Sequence, residues 1–199
     1  MSFETFRTAY GKPRIGSGAE LEALGLADSS ELSTFVTETG AGIFAAGLLS
    51  VASLREAGAE LAGWEAYVPA SARLFASTAF GMLFFSADNR VWIIETHYGS
   101  VTETDQTVAD TLTLLTEPQI RESRLRESLF REWNAMAGPL TTDCVLCPRP
   151  ALALGGHWHV SALSQVTQSV YLSFSFSLFH NEHDSAVIIN RATNDDIHP

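Results

Sequence analysis

The chain has 199 residues, 46% hydrophobic and 10% aromatic, enough to bury a core unaided and too apolar for a disordered chain. Its formal net charge is −11, with Lys12 the only lysine, which disfavours direct contact with nucleic acid or anionic membrane and favours a basic partner. The longest apolar run, residues 41–52, falls short of the roughly 20 residues of a membrane helix, and the first residues lack the apolar core of a signal peptide.

From the N-terminus, Phe3, Phe6 and Tyr10 share one helical face, and Gly11 and Pro13 end that helix. Gly16-Ser-Gly18 reads as a joint, and residues 20–26 as a short helix or turn. Ser29 or Ser30 can cap a second helix through Val36, closed by Gly40. Residues 43–51 read as one buried strand, with Gly42 and Gly47 marking a bulge or close backbone approach. Leu54, Ala57, Leu61 and Trp64 give a helical stripe. Residues 73–78 read as a strand. Residues 82–86 and 91–95 flank the turn Ala87-Asp-Asn-Arg90 as a hairpin, and Tyr98-Gly99 is the next turn.

Val108, Leu112 and Leu115 define a short amphipathic helix. Thr116 and Gln119 have the spacing of a capping box, with Pro118 in the first turn. The helix that follows buries Leu125, Leu129, Trp133 and Met136, pairs Glu122 with Arg126 and Glu127 with Arg131, and stops at Gly138-Pro139. Cys144 and Cys147 form a Cys-x-x-Cys pair followed by Pro148 and Pro150. With no second pair to complete a zinc site, they read as reduced structural thiols.

Pro148 and Pro150 hold the chain extended before the Gly155-Gly156 turn. Trp158, Val160 and Ala162 alternate with His157, His159 and Ser161, the period of a half-buried strand. The next segment is ambiguous. Leu172, Phe174, Phe176 and Leu178 alternate with serines, as in a strand. Val166, Val170, Phe174 and Leu178 are spaced four apart, as in a helix that Thr167 could cap. Beyond His180 the composition turns polar apart from residues 187–189, and residues 190–199 read as a loose tail. The expected fold class is α+β: a twisted antiparallel sheet with helices packed against it.

Several constellations invite chemistry. His157 and His159 share a strand face and could hold a metal if a third ligand came near; a solvent-facing edge pair is the simpler reading. His180 and His183 share a helical side, with Asp184 able to orient one ring, or they are the frayed end of a helix. Glu95 and His97 could form an acid–base pair, but no nucleophile accompanies them. No phosphate-binding loop and no Gly-x-Ser-x-Gly elbow is present. The expectation is no catalytic residue, no metal and no cofactor. Asp88, Glu95, Glu103, Asp105, Asp110 and Glu117 cluster between residues 86 and 118, where Arg90 is the only cation. They form either a solvated face or a patch complementary to a basic protein.

Residues 151–156, Pro150-bounded Ala-Leu-Ala-Leu-Gly-Gly, the strand after them and Val166-x-x-x-Val170-Tyr-Leu-Ser-Phe174 resemble the C-terminal domain of immunity proteins against type VI-secreted DNases. Phe3, Phe6, Tyr10-Gly11-x-Pro13, Phe35, Gly40 and Gly42-Ile-Phe-Ala-Ala-Gly-Leu-Leu49 resemble the GAD-like domain that precedes it there. The resemblance implies a GAD-like domain over 1–104, the immunity-protein domain over 105–182 packed on it, and a polar tail over 183–199. It also implies that the Tyr-Leu-Ser-Phe segment is helical. The implied function is that of a non-enzymatic antitoxin that blocks or distorts the active site of a cognate basic nuclease; the expected compartment, from the composition, is the cytoplasm, and the oligomeric state stays open with a monomer favoured. Glu95, Glu103, Asp105 and Asp110 would meet the partner's cations, with Tyr98 and Trp92 as aromatic anchors. A general protein-interaction module and a small histidine-dependent metal hydrolase are the alternatives.

Overall fold

A computed structural model describes residues 3–14, 30–52, 61–180 and 188–192. The joint at residues 16–18, the turn at 20–26 and the first half of the expected stripe, Leu54 and Ala57, lie outside them, while Trp64 opens a short 3-10 turn. Helix α1 (Glu4–Tyr10) buries Phe6 and Tyr10, and helix α2 (Ser30–Thr39) buries Leu32 and Phe35. Phe6 lies edge-on to Phe35 at 4.8 Å and to Phe44 at 5.2 Å, so the aromatic spacing read in the sequence becomes one ring cluster.

Six strands run as an antiparallel meander in chain order. They are β1 (Gly42–Phe44), β2 (Leu49–Val51), β3 (Arg73–Thr78), β4 (Met82–Ala87), β5 (Arg90–Glu95) and β6 (Ser100–Thr104). The expected single strand over 43–51 is in fact the hairpin β1–β2. Ala45, Ala46 and Gly47 all take positive φ, at 46°, 59° and 116°, and reverse the chain where no turn-type residue but Gly47 announces it. The β4–β5 hairpin follows the sequence closely: Asp88 and Asn89 both have positive φ, as a two-residue turn matched to strand twist requires.

The meander alternates between two cores. Met82, Phe84 and Val91 belong to one hydrophobic cluster with Phe6, Phe35, Leu112, Leu125, Phe130 and Trp133. Leu83, Phe85, Ile94 and Val101 belong to the other, with Trp64, Tyr171 and Leu172. The first core draws on residues from Phe3 to Leu163, on both sides of position 104.

After β6 come helices α3 (Val108–Leu114), α4 (Pro118–Ser123) and α5 (Glu127–Ala137). Three details depart from the sequence reading. The capping box belongs to Thr107 and Asp110 at the start of α3, whereas α4 begins after Glu117 with no side-chain cap. The expected continuous helix breaks at Arg126, which adopts φ 52° and ψ 46°. That break turns the later stripe, so Phe130 and Trp133 are buried while Met136 is 70% exposed. Glu127 does bond Arg131 at 3.0 Å, but Glu122 accepts from Ser128 instead of pairing with Arg126.

Strands β7 (Cys144–Pro148) and β8 (Leu163–Thr167) form a separate antiparallel pair, and helix α6 (Gln168–His180) follows. Cys144 and Cys147 are thiols, and burial raises the pKa of Cys147. The expected strand at 157–162 is irregular chain ending in a single 3-10 turn at Val160–Ala162. The helical expectation for 168–179 holds, though not through its motivating stripe. Val170 and Phe174 are 60% and 42% exposed, and the buried side is Gln168, Tyr171, Leu172 and Ser175. Residues 188–192, expected in part as loose tail, form β9 (Ile188–Ala192), which pairs parallel with β6 at the sheet edge. The fold is α+β, as composition and periodicity imply. No helix among the described residues is long and apolar enough to cross a membrane.

Candidate functional site

The β5–β6 turn carries Thr96, His97, Tyr98 and Gly99 to the end of the sheet. There it meets the break between α4 and α5 and the irregular segment around Trp158. A cleft of about 410 Å³ lies among Phe80, Glu95, His97, Tyr98, Arg124, Arg126 and Trp158. Its size suits a small ligand or an inserted side chain.

The rim is fixed by a polar lattice. Arg126 donates from Nη2 to the Tyr98 hydroxyl at 2.7 Å, and Trp158 donates from Nε1 to the same oxygen at 2.9 Å. The Arg126 guanidinium also lies 4.3 Å from the centre of the Trp158 ring, a cation–π contact. Tyr98 is thereby held in place although 44% exposed. Arg124 meets Glu95 at 3.4 Å, and Glu95 also accepts from Ser100 at 3.3 Å.

His97 forms the inner wall. The residue is 8% exposed, its ring packed edge-on to Trp158 at 4.7 Å and tilted on Tyr171 at 4.9 Å. Burial, with the Arg126 charge second, pulls its pKa down to about 3, opposed by the pull of the Phe80 and Leu146 backbone carbonyls, which favour the protonated ring. The imidazole is therefore neutral across the physiological range. Its Nε2 is buried with no hydrogen-bond partner among the described residues. Behind it Tyr171 meets Thr96 at 3.0 Å.

The residues expected to contact a partner divide into separate groups. Glu95 and Tyr98 belong to the cleft. Trp92 and Glu103 pair across β5 and β6 on the opposite face of the sheet, about 10 Å farther along the strand. There Trp92 packs on the second core, and Arg90 bonds Glu103 at 2.9 Å and Asp105 at 3.3 Å. Asp110 accepts from the backbone and the hydroxyl of Thr107 and caps α3. These acids thus do not make one continuous patch, and Glu95, Glu103, Asp105 and Asp110 each have a structural partner at home.

The histidine candidates are likewise scattered. His157 and His159 rings lie 6.2 Å apart, and His159 engages Ser161. His180 stacks on Phe176 at 4.8 Å and meets the Tyr67 hydroxyl, while His183 and Asp184 lie outside the described residues. Among the described residues no cluster of three or more His, Cys, Asp or Glu is placed to hold a metal ion. Arg126 escaped sequence reasoning, which assigned it to a helical ion pair; only the backbone break reveals its orientation.

The fold is thus α+β, with a cleft at one end of its main sheet. No protein-family model and no curated protein matches the chain. The fold is similar to that of Atu4351 from Agrobacterium tumefaciens, whose crystal structure aligns with a TM-score of 0.66 at 13% identity over 87% of each chain. At that identity the likeness speaks for the fold alone.

Proposed function

We propose that this chain is a stoichiometric, cytoplasmic immunity protein that binds a basic nuclease toxin and keeps DNA from its active site. The reading rests on the sequence resemblance to immunity proteins against type VI-secreted DNases. The structural observation that supports it best is Tyr98, an exposed aromatic side chain immobilised by hydrogen bonds from Arg126 and Trp158. An anchor already held in one rotamer loses little entropy on association, and Tyr, Trp and Arg are the side chains that dominate tight interfaces. The formal charge of −11 steers a basic partner toward the chain.

The test is inhibition. The purified chain, mixed one-to-one with the nuclease encoded beside it, abolishes DNA cleavage, and the pair elutes as one complex. Failure to bind or inhibit any nuclease encoded nearby removes the reading.

A further inference from the structure

The cleft has a character opposite to that of the whole molecule. In a chain of formal charge −11 it brings together two guanidiniums, Arg124 and Arg126, against one carboxylate, Glu95. Glu95 is engaged by Arg124 and Ser100. Among the described residues no carboxylate lies within ion-pair distance of Arg126. Its planar group is instead held by two neutral partners, the face of Trp158 and the hydroxyl of Tyr98. This leaves a fixed, charged fork with donors to spare.

Two further observations point the same way. Arg126 takes left-handed backbone, φ 52° and ψ 46°, a conformation costly to a residue with a Cβ and found disproportionately at ligand clamps. His97, in the inner wall, has a buried Nε2 with no partner among the described residues. Between these polar groups the lining is apolar: Phe80 and Met82 are buried, and Trp158 packs edge-on to Phe80 at 5.3 Å.

We propose that the cleft binds an organic carboxylate with an aromatic or apolar body. The carboxylate takes the forked hydrogen bonds of Arg126, with Arg124 at the mouth, and the body packs along Phe80, Met82 and Trp158. Inorganic anions would satisfy the fork and leave the apolar wall empty. The same chemistry is offered by a free small acid and by the C-terminal carboxylate of a protein chain ending in an apolar residue. The site is a property of this chain alone and stands whether or not its partner is a nuclease.

The experiment titrates the full chain with phenylacetate, its neutral isostere phenylacetamide, inorganic phosphate, and N-acetylphenylalanine as the mimic of a chain terminus. Calorimetry and the indole N–H resonance of Trp158 are the readouts. Phenylacetate or N-acetylphenylalanine binds saturably, one per chain, and shifts Trp158. The tighter of the two tells a free acid from a chain end. Arg126→Asn weakens binding about tenfold or more, and Asn tolerates the left-handed backbone, so this variant folds. Arg126→Lys keeps the charge but loses the fork and also weakens it. The proposal is overturned if neither carboxylate binds, if phenylacetamide or phosphate binds as tightly, or if Arg126→Asn, with unchanged thermal unfolding, binds as the wild type does.

Discussion

The hydroxyl of Tyr171 donates to Thr96 Oγ1 at 3.0 Å, fully buried and 75 residues away in sequence. The direction follows from proton count: Thr96 spends its single hydroxyl proton on the Gly81 carbonyl at 2.8 Å, so Tyr171 must be the donor. This chain of two bonds ties α6 to the β5–β6 turn and holds the cleft's inner wall from behind. Tyr171→Phe removes the donor and leaves Thr96 bonded to Gly81, so it costs about 1 kcal/mol. Thr96→Val strands both the Gly81 carbonyl and the Tyr171 hydroxyl and costs about 2 kcal/mol or more. Urea midpoints at unchanged m-value measure both, and equal losses would contradict the assigned direction.

His97 makes stability pH-dependent. Its folded pKa of about 3 lies below the ordinary histidine value of 6.5, which holds in the unfolded chain, so between these values the unfolded state binds the extra proton. Stability therefore rises with pH through that window, by up to about 1.4 kcal/mol per unit, and is flat with respect to His97 above it. Unfolding at pH 7.5, 6 and 5 should show the slope in the wild type and a shallower one in His97→Gln. Parallel slopes in the two proteins would refute a buried neutral imidazole.

Much of this frame is legible in the sequence. The aromatic spacing of α1 and the Asp88-Asn89 hairpin appear there, whereas the spacing over 168–179 fits strand and helix alike and only the resemblance favours the helix. What escapes reading is backbone that breaks its residues' habits. Ala45 and Ala46 turn a strand into a hairpin with left-handed alanines, and Arg126 splits a helix whose pattern runs on unbroken. The cleft shares that fate. Phe80, Glu95, Arg126 and Trp158 come from four segments that only the tertiary fold assembles, and the acids that cluster in sequence fall on opposite faces because β5 and β6 alternate. Helix α6 was recoverable only in type, because its exposed Val170 and Phe174 mimic the core stripe that Tyr171 and Leu172 supply.

Gly99 and Gly155 separate backbone strain from crowding. Both have positive φ, 63° and 84°, but a Cβ on Gly99 would sit 2.5 Å from the Phe179 ring, whereas Gly155 has open space. Gly155→Ala costs about 1 kcal/mol, the left-handed penalty alone. Gly99→Ala adds overpacking against α6 and costs at least about 2 kcal/mol. Thermal unfolding of the two variants ranks them, and equal losses would mean that Phe179 yields without resistance.

Splitting the acids between two faces sharpens the expected kinetics with a basic nuclease. Glu95 lies beside the anchored Tyr98, so Glu95→Gln slows association while contributing about 1 kcal/mol or less to affinity. Glu103→Gln with Asp105→Asn, on the other face and away from Tyr98, changes the on-rate little; both groups of acids carry an arginine partner, so position and not pairing separates them. Asp110→Asn acts through the fold, since its carboxylate caps α3, and lowers the unfolding temperature more than the association rate. Tyr98→Ala raises the dissociation rate, because it removes the anchor and the acceptor that holds Arg126 and Trp158. Added salt erodes the steering of the wild type, since exposed charges are screened within about 10 Å at 0.1 M. Stopped-flow association at several salt concentrations decides among these. An on-rate indifferent to salt and to Glu95→Gln rules out steering by this face, and an equal loss from Glu95→Gln and the Glu103–Asp105 pair would mean that the partner embraces both faces of the sheet.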